Sequence, residues 1–163
     1  MKTIETINLE GIFSIWKTFS DGRKYLVFHD KNLITLAARQ ALLSYLYTTV
    51  TTDPINGLKV GTGGCIDPEG LFPKQENPAW TTLNTTLTTV GTGGLLTIGQ
   101  TIDNTVPQIT YLADLDQATG NGVSINEAGL FKASGAMFNV KTFPSIPKTS
   151  EFNLHIEWVI KWA

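Results

Sequence analysis

Cysteine is nearly absent from this chain. Cys65 stands alone among 163 residues, so no intrachain disulfide can staple the fold, as suits synthesis in a reducing compartment. Charge is scarce too. Only 16% of residues are charged and the net charge is -2, against roughly 25% charged residues in ordinary soluble domains. No basic stripe is present to meet phosphates, which argues against a nucleic-acid partner. No run reaches the roughly 18 apolar residues of a membrane-spanning helix, which argues against a membrane partner. Met1-Lys2-Thr3-Ile4-Glu5 lacks the apolar core of a signal peptide.

Thr, Gly, Asn and Ser take the place of charge. They make a neutral, hydrogen-bonding surface that suits packing against neighbours, so a homo-oligomer is expected. The length fits a single domain, 1–163, able to bury a core without disulfides.

The clearest pattern is at the end of the sequence. Phe152, Leu154, Ile156, Trp158, Ile160 and Trp162 occupy alternate positions, with Asn153, His155, Glu157, Val159 and Lys161 between them. A side-chain period of two predicts a long strand with one apolar face. Gly11 to Phe19 and Tyr25 to Phe28 predict a hairpin around Asp21-Gly22. From Asn32 to Tyr47 the apolar residues Leu33, Leu36, Ala37, Leu43 and Tyr47 recur at steps of three and four, widened by Leu42 and Leu46. That spacing predicts one helix over 32–47, with Asn32 as its N-cap.

Further strands are expected at 55–60, 95–103, 108–115, 123–131 and 136–143. Residues 61–92 read as an extended loop or arm, rich in proline at first and carrying seven threonines over 81–92. Many short strands with glycine and proline turns predict a mainly β fold. The expected form is an antiparallel, jelly-roll-like β-sandwich with one flanking α-helix.

Chemical motifs are missing. Val60-Gly61-Thr62-Gly63-Gly64 recurs as Val90-Gly91-Thr92-Gly93-Gly94. Neither run has the lysine and helix of a phosphate loop, so both read as tight turns. Asp114-Leu115-Asp116 before Gly120-Asn121-Gly122 lacks the ligand spacing of a calcium loop. His29, His155 and Cys65 have neither metal-ligand spacing nor a nucleophile elbow. Asp67, Glu69 and Glu76 lie in a proline-rich loop, where carboxylates are normally solvated. Asn84-Thr85-Thr86 matches a glycosylation acceptor only formally. No enzyme, cofactor or metal is expected. The interface candidates are Trp80, Leu83, Leu87 and Phe72, all in the arm. Trp80 also raises a carbohydrate-binding alternative, because tryptophan faces stack on sugars.

Ile125-Asn126-Glu127-Ala128-Gly129-Leu130-Phe131 is followed by Phe143-Pro144, by Pro147-Lys148 and by the closing strand through Trp158-Val159-Ile160. This order resembles structural proteins of tailed bacteriophages. It is similar to capsid decoration (cement) proteins and to the first domain of some phage tail fibres. The helix and the 60–74 loop are more loosely similar. The resemblance implies a non-enzymatic virion protein, assembled in the host cytoplasm and most simply a trimer bridging capsomers through the major capsid protein. A tail, baseplate or fibre-adaptor protein of the same fold is the alternative. Ending at Ala163 without a shaft, the sequence fits a stand-alone decoration or adaptor subunit better. Glu127, inside an apolar strand, is expected to be paired or at an edge. Pro144 and Pro147 are expected to end a strand and begin a crossover between sheets.

Overall fold

The structure, a computed structural model, describes residues 9–47, 53–103 and 105–162, without the side chains of 43–47 and 162. The expectations for Met1–Glu5, Leu43, Leu46, Tyr47 and the Trp162 side chain lie outside that range. Eight strands and one helix follow in the order β1 (Leu9–Phe19), β2 (Lys24–Ile34), α1 (Leu36–Tyr47), β3 (Ile55–Gly61), β4 (Gly99–Asp103), β5 (Gln108–Leu115), β6 (Ser124–Lys132), β7 (Met137–Pro147) and β8 (Phe152–Trp162). Every pairing is antiparallel. The mainly β expectation with one helix holds.

The strands form one continuous sheet, ordered β3-β6-β7-β2-β1-β8-β5-β4. This curled half-barrel stands where two separate sheets of a jelly-roll were expected. The curl has its origin in β2. Its outer part pairs with β1 along Lys24–Asn32, but only Leu33 and Ile34 reach β7. The sheet therefore bends there, and β7 comes back over β1. The Phe13 and Phe143 rings stack 5.6 Å apart across the bend, and Phe28 lies 5.4 Å from Phe143.

The alternation of the closing strand is borne out. Phe152, Leu154, Ile156, Trp158 and Ile160 are buried, while the residues between them are half-buried. β8 is a central strand, flanked by β1 and β5. Trp158 packs edge-on to Phe13 at 4.6 Å. Its Nε1 donates to the Asn139 carboxamide oxygen at 3.0 Å once that amide is oriented to satisfy its neighbours.

Three expectations need correction. The helix begins at Leu36, not Asn32. Asn32 to Ile34 stay in β2 because that strand must reach β7, and Thr35 takes over as the cap. The Thr35 Oγ1 accepts from Ala38 N at 3.2 Å and donates to Met137 O at 2.8 Å, so one hydroxyl fixes both helix and strand. Pro144 does not end β7. It falls where Ile125 pairs with Ile146 and Glu127 with Thr142, so that three residues of β7 oppose one of β6. A bulge absorbs the missing N–H, and the strand continues to Pro147, at its very end. Finally, residues 95–103 give a strand only from Gly99. Leu96 instead bridges to Leu58, on the outer edge of β3.

Candidate interaction surface

Residues 61–92 form a fixed arm, and its anchor is Glu127. This carboxylate is fully buried in β6. Its Oε1 accepts from Gly63 N at 3.1 Å and Thr85 N at 2.7 Å. Its Oε2 accepts from Asn84 N and Asn84 Nδ2, both at 2.9 Å. Four N–H groups thus satisfy the carboxylate, and among the described residues no cation pairs with it. The neighbouring Asn126 Oδ1 accepts from Gly64 N at 2.7 Å. The sequence marks Glu127 as needing a partner. It cannot show that the partners are main-chain amides of the arm, 42 to 64 residues away.

The two Gly-Thr-Gly-Gly runs are not equivalent. Gly91, Gly93 and Gly94 have positive φ and make the expected turn. Gly61, Gly63 and Gly64 do not. Glycine is needed there for closeness, since a Cβ on Gly64 would stand 2.1 Å from Asn126 O. The first run is a clasp for Asn126 and Glu127, which corrects its reading as a tight turn.

The proline-rich half of the arm lies along β7. Ser145 N donates to Gly70 O at 2.7 Å and Lys74 N to Gly64 O at 2.7 Å. Thr142 Oγ1 donates to Lys74 O at 2.6 Å, and Thr142 N donates to Glu76 Oε1 at 3.1 Å. Lys141, 8% exposed, bridges Asp30 at 2.8 Å and Glu76 at 3.3 Å. Glu76 is thus engaged rather than solvated. Asp67 accepts from Leu71 N and Phe72 N, which holds its carboxyl below the usual range against the opposing effect of burial. The Cys65 thiol donates to Phe143 O at 3.4 Å, and burial pushes its pKa up.

This bracing ends in an apolar crest. Ile66, Leu71 and Phe72 are 72%, 63% and 62% exposed. A cleft of about 560 Å³ separates the base of the crest from β2, lined by Phe28, Asp30, Ile66, Pro73, Glu76 and Lys141. Tyr25, Leu26 and Val27 also stand exposed on the outer part of β2.

The four interface candidates separate in the structure. Phe72 crowns the crest. Leu83 is buried with Phe131, Met137 and Val140, and Trp80 packs half-buried against the same cluster. Leu87 packs against the main core. These three side chains spend their apolar surface inside their own chain because Glu127 draws residues 84 and 85 inward. Ile66 and Leu71, which sequence reasoning missed, accompany Phe72 instead. Their only signal was the unusual presence of three large apolar residues in a proline-rich loop.

His29 Nδ1 lies 2.9 Å from Ser14 Oγ, and His155 Nδ1 lies 2.8 Å from Asp114 Oδ1. Among the described residues, no three His, Cys, Asp or Glu side chains gather as a metal-ligand group, and no helix is long and apolar enough to cross a membrane. No family model, curated protein or solved structure matches this chain.

Proposed function

We propose that this chain is a non-enzymatic virion structural protein of a tailed bacteriophage, a decoration protein that bridges capsomers by docking on the major capsid protein. The phage assignment rests on the residue order from Ile125 to Ile160. The observation that carries the docking role is the braced crest. Three large apolar side chains held in water, on a loop fixed by main-chain hydrogen bonds, are explained by a surface that covers them. A crest already fixed in place also loses little conformational freedom when it binds. In this reading the curled sheet is a jelly-roll-like sandwich whose two leaves share β2. The copies form a homo-oligomer, a trimer in preference, and reside in the virion after assembly in the host cytoplasm.

The test replaces Leu71 and Phe72 by Asp. Both side chains are exposed, so the melting temperature is expected to stay within a few degrees of wild type. Binding to particles that lack the protein is expected to fall at least about tenfold, since a charge at the centre of an apolar contact is costly. Unchanged binding by the double variant would remove the crest from the interface.

A further inference from the structure

Lys148 is the most deeply buried cation among the described residues, at 1% exposed. Lys141, the next, is matched by two carboxylates. Lys148 stands in no ion pair among the described residues. Its Nζ donates to Asn121 Oδ1 at 3.1 Å and Thr149 O at 2.8 Å, and lies 5.5 Å from the centre of the Phe152 ring. Burial pushes the Lys148 ammonium down toward the neutral amine, and the charge of Asp116 only partly opposes this.

The amine and the carboxamide are also held together. Gly122 N donates to Lys148 O and Lys148 N to Val123 O, both at 2.9 Å. These main-chain bonds flank the Lys148–Asn121 contact. Asn121 Nδ2 donates to Gln117 O at 2.7 Å, which orients its carboxamide with the oxygen toward Lys148.

We propose that Lys148 and Asn121 form an intramolecular isopeptide bond, stapling the β5–β6 turn to the β7–β8 connection. The neutral Nζ attacks Cγ of Asn121, and the carbonyl electron pair moves onto Oδ1. One proton leaves the attacking nitrogen and one is delivered to Nδ2. The Cγ–Nδ2 bond then breaks, ammonia departs and the carbonyl re-forms. One N–H and one C–N bond are lost and one of each is made, so no oxidant or co-reactant is required. Asp116 is the nearby opposite charge: Thr119 holds its carboxyl below the usual range, against opposition from burial, and it interacts with the Lys148 charge. The product removes an ammonium from the interior, where an unmatched charge is costly, and ties positions 121 and 148 covalently. The inference does not depend on the phage reading.

Intact-mass measurement of the purified full chain tests it. The expected mass is that of the sequence less one ammonia, and digestion should yield a branched peptide joining residues 121 and 148. Asn121 precedes Gly122, so cyclisation to a succinimide would lose the same ammonia. Lys148→Arg separates the two, because the succinimide needs no lysine. The full mass of each variant's sequence, with no loss of ammonia, is expected for Lys148→Arg and for Asn121→Ala. An unshifted wild-type mass after prolonged incubation at mildly alkaline pH would overturn the proposal. A shift that persists in Lys148→Arg would do so equally.

Discussion

At the scale of single residues, two carboxylates do different work. Glu127 is a fully buried anion whose ligands are all N–H groups. Glu127→Ala leaves those donors without an acceptor and is expected to cost at least about 3 kcal/mol. Glu127→Gln keeps the shape but turns an amide nitrogen toward N–H donors, so it too should destabilise. Urea unfolding measures both, and a Gln variant as stable as wild type would contradict the clasp. Asp53 works at the surface, where Lys132 at 2.7 Å and Ser134 hold its pKa down to about 2, from an ordinary 3.8. A depressed carboxylate stabilises the fold above its unfolded pKa and loses that effect as pH falls through the folded one. The stability difference between wild type and Asp53→Asn should therefore be flat above about pH 4 and shrink toward pH 2. Acid-titrated melts decide it. A difference that grows on acidification would reverse the sign.

At the scale of elements, β8 and the arm answer to different rules. Trp158 is fully buried at mid-strand against Phe13, so Trp158→Ala is expected to cost about 3–5 kcal/mol and to reduce soluble yield sharply. Trp80 covers the Leu83 cluster from outside, and Trp80→Ala should lower the melting temperature by a smaller amount. Equal melts for the two variants would mean that core and cover have been confused. The strand was legible because period two over six large residues has one explanation. The helix was legible as a type but not at its start. Leu33 and Ile34 fit a helical stripe as well as a strand, and only their pairing with Val140 and Asn139 decides between them. The inward path of Leu83 and Leu87 was not legible at all. It depends on hydrogen bonds from Asn84 and Thr85 to the distant Glu127 carboxylate, which leave no trace in local spacing.

For the whole molecule, antiparallel β architecture followed from composition and turn chemistry, whereas the curl did not. It arises where β2 hands over from β1 to β7 within two residues, a long-range event that no local pattern encodes. The curl places the braced arm along β7 and sets Phe28 and Asp30 across the cleft from the crest. The crest of Ile66, Leu71 and Phe72 thus stands exposed beside that cleft, as the docking reading requires. The most direct test is the copy number of this chain relative to the major capsid protein in purified virions from the genome that encodes it. A capsid decoration protein should be present in a fixed ratio close to that of its capsid sites, amounting to many copies per particle. A few copies at one vertex would move the protein to the tail or baseplate, and its absence from purified virions would contradict the virion role itself.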